Sequence, residues 1–457
     1  MFSKSFLLLL ATASMALAQQ PVGDGKADDT AALQHLIDTS GSVKLSKGTY
    51  LITQTLKIDL TKTGFAAVSG DGTVRLIMAG PGPALHFVGT HEGSAAPDSF
   101  KPDVWEDQRT PMVEGIEIVG ADEDADGIEA TGTMQITLSR VVIRECRHAV
   151  HLSVRNRNVL ISACHFYHNT GIGVFYDNVN LHQSNIVGSH ISYNGGGGVV
   201  SVGGNVRNLH IGTCDIEGNH AKDGPPSANV MLDSRGGSIG EVTITGCTLQ
   251  HTHKSPDSAN IRIIGSGTDE SLVRRGGREH TREGNVTITA NVFSDVQVNV
   301  EIHHSRGVTI TGNTFWEGFQ RDLLVEDSGN IVVTGNNFDR NPRYLVNGND
   351  NAEKNGIVFR RCEDSIFNNN VVSGVWQQRA AVDIESCNRL HVSHNSVLDS
   401  DGNGLRLEKV TNSIISENIL RDDREAEKRS KAASLLIIDS KENVVSQNVV
   451  CNKQDAQ

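Results

Sequence analysis

Carboxylates, an arginine and an imidazole recur at matching positions of short repeated phrases in the middle of the chain. Asp233, Arg262, Glu301, His303 and Glu326 fall at outward-facing positions of four successive phrases. Two carboxyl groups about 5 to 5.5 Å or about 6.5 to 9.5 Å apart can serve as acid and base on a glycosidic bond. An arginine that neutralises a carboxylate, with a histidine as base, suits a β-elimination instead. Both kinds of chemistry require elements that bring these side chains onto one face.

The phrase that carries these residues alternates apolar and polar positions, and it occurs eleven times. Such alternation over a short segment is typical of a β-strand with one buried face. The apolar parity is occupied by Val150, Val174, Val200, Val230, Ile261, Val300, Leu323, Ile357, Val382, Leu405 and Leu435. We expect two outward rows beside it. The first contains Ser153, Asp177, Gly203, Asp233, Ile264, His303, Glu326, Arg360, Glu385 and Glu408, and the second contains His151, Phe175, Ser201, Met231, Arg262, Glu301, Leu324, Val358, Asp383 and Arg406.

A second phrase, as in VTITGNTF and IVVTGNNF, follows most copies of the first and recurs every 22 to 26 residues, with four units enlarged by insertions. A unit of this length, made of short strands separated by Gly, Asn and Asp, predicts an all-β fold. The expected architecture is a right-handed parallel β-helix of about a dozen coils, each about 4.8 Å from the next. A leucine-rich repeat is disfavoured because its Leu-x-x-Leu-x-Leu phrase is missing.

Aligning the second phrase gives one column of small and amide residues. Its members are Cys164, His190, Cys214, Cys247, Asn291, Asn313, Asn336, Asn370, Asn395, Asn418 and Asn448. We interpret the column as structural, because Asn tolerates a left-handed turn and stacked amides can hydrogen-bond from coil to coil. Cys362 and Cys387 share another column, where adjacent coils would bring them within disulfide range of about 5 Å between Cα atoms.

Composition and charge limit the functions and the locations that fit this protein. The chain has 457 residues and a net charge of −13, the wrong sign for a protein that mainly binds nucleic acid. Residues 1–18 have the basic, apolar and small-residue plan of a signal peptide, and no later stretch is apolar enough to span a membrane. We therefore expect a secreted or periplasmic protein whose residues 19–457 form a single β-helix domain; its oligomeric state is left open.

The mature N-terminus carries the pattern of a capping segment, expected over residues 19–60. Asp28, Asp29 and Thr30 supply N-cap chemistry for a short helix with an apolar stripe of Leu33 and Ile37. Such a helix can close the open end of a solenoid core.

The same segment resembles the rhamnogalacturonase/epimerase-like pectate lyase superfamily of right-handed β-helix proteins. The resemblance rests on Gly23-Asp24-Gly25, Asp28-Asp29-Thr30, Ala32 with Gln34, and the strand ending Lys47-Gly48-Thr49-Tyr50. It implies the β-helix fold and a role on carbohydrate, since that superfamily includes lyases, hydrolases, epimerases and phage tailspikes. The motif set of polygalacturonases is absent, because Arg262 is followed by Ile263 and Ile264 rather than by Ile and Lys.

The favoured function is cleavage of an extracellular, acidic polysaccharide by a lyase or a glycoside hydrolase. The predicted catalytic residues are Asp233, Glu301, His303 and Asp177, and the predicted substrate-binding residues are Arg262, Glu326, Arg360 and Trp316. The alternative is a non-catalytic β-helix that binds glycans or belongs to a surface assembly, in which the charges form a solvated salt-bridge ladder.

No cofactor is required by this interpretation, and no metal ligands are assigned. Asp122, Asp124 and Asp126 imitate the start of a calcium loop, although Thr133 stands where the loop needs a glutamate, so calcium is left open. The histidine-rich stretch from His165 to Asn194 shows no metal-ligand spacing. An arginine-rich insertion with Arg274, Arg275 and Arg278 could reach over the same face.

Overall fold

The computed structural model describes residues 20–93, 96–221, 227–267, 283–342 and 352–451. The predicted signal peptide and the arginine-rich part of the insertion lie outside the described residues. None of the helices in the described segments is long and apolar enough to cross a membrane.

Helices are few and lie near the N-terminus: α1 (Thr30–Ser40), α2 (Leu60–Thr63), a 3-10 turn (Pro97–Ser99) and α3 (Pro102–Glu106). The first strands are β1 (Asp24–Asp28), β2 (Ser42–Lys44), β3 (Gly48–Ile52), β4 (Leu56–Asp59), β5 (Ala67–Met78), β6 (Gly82–Val88), β7 (Met112–Gly120), β8 (Ala125–Met134), β9 (Thr137–Ser139), β10 (Val142–Arg144), β11 (Val150–Ser162), β12 (His165–Tyr167) and β13 (Ile172–Val187). The middle strands are β14 (His190–Ser192), β15 (Gly197–Gly212), β16 (Asp215–Glu217), β17 (Ala228–Thr245), β18 (Thr248–Gln250), β19 (Ala259–Ile264), β20 (Gly284–Thr289), β21 (Val292–Phe293), β22 (Val296–His303), β23 (Arg306–Thr311), β24 (Thr314–Phe315), β25 (Gly318–Glu326), β26 (Gly329–Thr334) and β27 (Asn337–Phe338). The last strands are β28 (Gly356–Arg360), β29 (Ile366–Asn368), β30 (Val371–Ser373), β31 (Ala380–Glu385), β32 (His391–Ser393), β33 (Ser396–Leu398), β34 (Asn403–Glu408), β35 (Ile414–Ser416), β36 (Ile419–Arg421), β37 (Leu435–Ile438), β38 (Val444–Ser446) and β39 (Val449–Val450).

The strands stack into three parallel sheets that wind around one core, which confirms the right-handed parallel β-helix. The first sheet runs from β8 through the first halves of β11, β13, β15 and β17 to β19, β22, β25, β28, β31, β34 and β37. The second sheet contains the second halves of β11 to β17 and then β20, β23, β26, β29, β32, β35 and β38. The third contains β10, β12, β14, β16, β18, β21, β24, β27, β30, β33, β36 and β39.

Apolar residues of the predicted parity fill the interior. Phenylalanine rings stack from coil to coil, with 4.8 Å between the ring centroids of Phe293 and Phe315 and 4.5 Å between those of Phe315 and Phe338. Helix α1 covers the N-terminal end of this core with Leu33 and Ile37, both buried. The expected capping helix is therefore present, although Asp29 does not cap it: its carboxylate accepts the backbone N–H groups of Val22 and Gly23.

The asparagine column forms a buried ladder, but its members are not the left-handed residues. Asn336 accepts the amide of Asn313 and donates to Asn370, each at 3.0 Å, while the positive φ of 65° belongs to the preceding Gly335. The side chain therefore points inward because the residue before it turns the chain.

The predicted register is wrong by one residue in two places. Ser189, not His190, stands in the column, because the N–H of Cys164 donates to Ser189 Oγ at 3.1 Å and His190 pairs with His165 in the third sheet. A slip of one residue moves a side chain to the other face, so His190 points outward. The predicted register is also shifted by one residue in strand β15, where Val199 and not Val200 pairs with Val174. In the two outward rows, Val202 and Val200 therefore replace Gly203 and Ser201.

Candidate functional site

An open groove of about 390 Å³ crosses the outer face of the first sheet. Residues of four consecutive strands, β17, β19, β22 and β25, line it, so it extends about 14 Å along the solenoid axis. Part of its floor is apolar, because Val298 and Leu324 pack with Val358 in a small cluster outside the main core. A groove with this floor and polar sides suits an extended chain that has both apolar and polar faces.

Arg262, Glu301 and His303 form one hydrogen-bonded network beside this floor. Arg262 Nε donates to Glu301 Oε2 at 2.9 Å, and His303 Nε2 lies 2.7 Å from Glu301 Oε1. Arg262 also donates to the carbonyl of Asp257, in the loop before β19, at 2.5 Å. The structure therefore brings three of the predicted site residues together.

Hydrogen bonds and neighbouring charges favour the charged forms of Glu301 and His303. Burial raises the pKa of Glu301, but the hydrogen bond from His303 and the charge of Arg262 outweigh it, so the pKa is lowered overall. The hydrogen bond to Glu301 is the main reason that the pKa of His303 is raised. Glu301 is therefore a carboxylate near neutral pH, and His303 keeps a proton to higher pH than an ordinary histidine.

The carboxylate of Asp233 is bound by the side chain of Arg235. This carboxylate is 4% exposed, and Arg235 Nε lies 2.9 and 3.1 Å from its two oxygens. A general acid for glycoside hydrolysis needs a raised pKa and access to the substrate. The arginine-bound Asp233 and the ionised Glu301 argue against these two residues as an acid and base pair.

Arg321 was missed by the sequence reasoning and lies in the groove. Among the residues that the structure describes, its side chain has no hydrogen bond or ion pair, and its Nε is buried without a partner. Burial lowers its pKa, and the nearby Arg360 lowers it further. Two glutamines that line the groove, Gln297 and Gln320, hydrogen-bond to each other at 2.9 Å beside it.

Glu326 and Arg360 belong to a ladder of charges that continues away from the groove. Glu326 Oε2 lies 3.5 Å from His303 Nδ1, and Arg360 NH1 donates to Glu326 Oε1 at 3.2 Å. Arg379 then bridges Glu385 and Asp383 on the next coil at 2.9 and 2.6 Å. These pairs match the predicted salt-bridge alternative for this part of the face.

Two predicted site residues are not brought to the groove. Asp177, on β13, pairs with His151 Nε2 at 3.1 Å and stands four coils, about 19 Å, from His303. Trp316 is not a lining residue; it lies at the turn after β24, where its carbonyl accepts Asn299 Nδ2 at 3.1 Å. Trp316 therefore does not line the groove.

One group within the described segments could hold a metal ion. Ligand atoms of His190, Asp215 and Glu217 all lie within 4.8 Å of one another on the third sheet. His190 is available for this only because it lies outside the ladder. The acidic turn considered for calcium is neutralised instead, since Arg147 binds Asp126 at 2.6 Å and approaches Asp124 at 3.4 Å.

Solved structures with the same winding come from several sources. The surface protein and adhesin PfbA of Streptococcus pneumoniae has 11% identity and a TM-score of 0.41, over 94% of this chain and 98% of that chain. The A-module of the mannuronan C-5 epimerase AlgE6 of Azotobacter vinelandii has 12% identity and a TM-score of 0.32, over 95% and 98%. The tailspike protein of E. coli bacteriophage HK620 in complex with pentasaccharide has 10% identity and a TM-score of 0.47, over 93% and 78%. At these scores the likeness carries no argument about function.

Comparisons of sequence are more specific about family. No curated protein matches the chain. Residues 344–456 match the family model described as periplasmic copper-binding protein (NosD). Residues 105–249 and 228–377 match the model described as right handed beta helix region. Because these two overlapping matches together cover residues 105–377, more than half of the sequence, and agree with the fold, the chain belongs to the right-handed beta helix family.

Proposed function

We propose that the protein binds an acidic polysaccharide, outside the cytoplasm, along the groove of the first sheet. The observation that carries the proposal is the Arg321 guanidinium, which lies in the groove without a partner among the described residues. A cation whose pKa is lowered by burial is stabilised when an anion binds beside it. A sugar carboxylate matches the fork of an arginine.

The rest of the groove fits the same ligand. Val298 and Leu324 offer apolar contacts to the C–H faces of sugar rings, and the amides of Gln297 and Gln320 can hydrogen-bond to hydroxyl groups. The length across four coils accommodates an extended chain rather than a single small molecule. Arg262 is fixed by Glu301 and serves mainly to shape the floor.

Affinity electrophoresis in gels that contain uronate-bearing or neutral polysaccharides tests this proposal. The protein should be retarded by at least one acidic polysaccharide, and Arg321→Gln should weaken that binding by about tenfold or more, the loss expected for one charge-assisted hydrogen-bonded pair. Arg361→Gln is the matched control, because Arg361 is exposed and already pairs with Asp327 at 2.7 Å. Equal retardation of the wild type and Arg321→Gln would contradict the assignment of the groove.

Cleavage by β-elimination is the second candidate, and the hydrogen-bonded pair of Glu301 and His303 favours it. Neutral His303 would take the proton from C5 of a uronate, the electron pair of that C–H bond would form the C4=C5 double bond, and the C4–O bond would break. The leaving oxygen would take a proton from water. Arg321 would neutralise the carboxylate that stabilises the developing charge.

The pH profile of product formation distinguishes this candidate from binding alone. Because the pKa of His303 is raised, its neutral form increases only at higher pH, so the ultraviolet absorbance of the unsaturated product should rise as the medium becomes more alkaline. Glu301→Gln removes the cause of the shift and should move the profile to lower pH. If a polysaccharide that binds gives no unsaturated product at any pH, the protein binds this ligand without eliminating it.

A further inference from the structure

A second group of cations lies where β11 turns from the first sheet into the second. Arg155 and Arg157 flank Asn156, whose side chain points inward and accepts Thr133 Oγ1 at 2.7 Å. Alternation along the strand therefore directs both arginines outward, where a solenoid normally exposes its charges. Both are nevertheless buried, with 8% and 7% exposure, and the Arg157 guanidinium lies 4.7 Å from the ring centre of Phe100.

Arg155 is buried without enough partners. NH1 donates to Asn180 Oδ1, but Nε and NH2 are shielded from solvent and have no hydrogen-bond partner among the residues that the structure describes. A buried charge with unsatisfied donors is costly unless a counter-charge lies beside it. Burial and the charge of Arg157 both lower the pKa of Arg155, and no carboxylate of the described residues acts in the other direction.

His91 adds an imidazole to the same place. It is 1% exposed, and within the described segments its buried Nε2 has no hydrogen-bond partner. Burial, Arg155 and Arg157 lower its pKa to about 4, so the imidazole is neutral near pH 7 and its Nε2 retains an unused hydrogen-bonding position. The two unsatisfied donors of Arg155 and this imidazole therefore stand together in a chain of net charge −13.

We propose that Arg155, Arg157 and His91 form a binding site for one oxyanion group: a carboxylate, sulfate or phosphate. The guanidinium fork of Arg155 presents Nε and NH2 in the geometry that binds two oxygens of such a group. The site lies three coils, about 14 Å, before the first strand of the groove and at the corner between the first and second sheets, so it does not depend on the proposed function. A free inorganic ion or an acidic substituent of a sugar supplies the same chemistry.

Thermal unfolding of the full chain in chloride buffer, with sulfate, phosphate or glucuronate added at constant ionic strength, tests the site. The Tm of the wild type should rise to a plateau with at least one oxyanion, and the one with the lowest half-saturating concentration identifies the source. Arg155→Met should lose this rise. In chloride alone it should unfold at a higher temperature than the wild type, because the uncompensated charge is gone.

The direction of the Tm change of Arg155→Met in chloride distinguishes a ligand site from an arginine that only supports the fold. If Arg155 only supports the fold through Asn180, Arg155→Met would lower the Tm in chloride, and that result would overturn the proposal. An equal rise in the wild type and Arg155→Met, or no rise in the wild type with any oxyanion, would overturn it too. Arg361→Met, at an exposed paired arginine, should keep the full rise. If Arg155→Met does not fold, Arg155→Gln replaces it with the same expectation for the rise.

Discussion

Two groups of arginines within the described residues differ in their partners. Arg235, Arg360 and Arg379 bind carboxylates of their own or the neighbouring coil, and their charges stabilise the surface. Arg321 and Arg155 have lowered pKa values because burial is not offset by a carboxylate bound to them. We propose that the second group marks places where a ligand supplies the missing negative charge.

Asp322 makes stability depend on pH. It ends a second buried amide ladder, in which Asn299 Nδ2 donates to Asp322 Oδ1 at 2.7 Å, and its other oxygen has no hydrogen-bond partner in the part of the chain that the structure describes. Burial raises its pKa to about 7. Between about pH 4 and 7 the unfolded chain ionises this group while the folded chain keeps it protonated, so stability is highest below this window and falls as the pH rises through it. Above pH 7 the free energy of unfolding should be lower by up to about 4 kcal/mol than below pH 4.

Asp322→Asn should remove this dependence, because an amide continues the ladder without a charge. Urea unfolding at pH 4.5 and pH 8 should show the variant about as stable as the wild type at the lower pH and more stable at the higher. Asp439→Asn, at an exposed aspartate, should leave the difference between the two pH values unchanged. The assignment fails if Asp322→Asn and the wild type lose the same stability between the two pH values.

At the scale of elements, the asparagine ladder ties each coil to the next. Asn336 accepts from the backbone and side chain of Asn313 and donates to the Ile310 carbonyl and to Asn370, all at 3.0 Å. Asn336→Ala leaves these buried groups unsatisfied and should lower the free energy of unfolding by about 3 kcal/mol while glycan binding is kept. Asn337→Ala is the matched control, since the neighbouring side chain is exposed.

Chemical denaturation of both variants, with affinity electrophoresis beside it, checks this prediction. A small effect of Asn336→Ala, equal to that of Asn337→Ala, would mean that the ladder contributes little to stability. Loss of binding in a stable Asn336→Ala would mean that the column has a part in function.

The repeat predicted the winding and most of the register, because apolar side chains must stay inside in every coil. It failed in coil β15, where Val199, Val200 and Val202 offer apolar side chains to both parities. It failed at Ser189 because a serine replaces the amide or thiol seen in other coils. Hydrophobic pattern alone does not fix the register at such positions.

The groove was predicted only in part. Arg262, Glu301 and His303 follow from regular alternation, and the structure places them together. Arg321 has the parity of the core residue Leu323, so alternation along β25 predicts an inward side chain, but the pairing with β28 is irregular between these two residues and Arg321 lines the groove. The pairing of Asp233 with Arg235 depends on a turn that the alternation does not describe.

At the scale of the whole molecule, a single continuous core limits cysteine chemistry. All seven cysteines are free thiols; Cys362 and Cys387 are neighbours, with the Cys362 N–H 3.3 Å from Cys387 Sγ, but they are not bonded. Burial raises the pKa of Cys146 to about 12 and that of Cys164 to about 11, so these thiols are unreactive in the folded chain.

Alkylation followed by mass spectrometry tests this state of the cysteines. The native protein should be modified only at Cys451, the one cysteine with partial exposure, and the denatured protein should be modified at all seven without a reductant. Two unmodified cysteines after denaturation would show a disulfide and contradict the structure.

Because the chain has a net charge of −13, its affinity for an acidic ligand depends on the cations in the groove. The whole molecule repels a polyanion at long range, so affinity must come from contacts at short range. Titration calorimetry with a uronate oligosaccharide and with the same oligosaccharide after reduction of its carboxyl groups to alcohols measures that contact directly. The account predicts that the wild type binds the acidic form about tenfold or more tightly than the reduced form, and that Arg321→Gln binds the two alike. Equal affinity of the wild type for both forms would contradict the claim that Arg321 receives a sugar carboxylate in the groove.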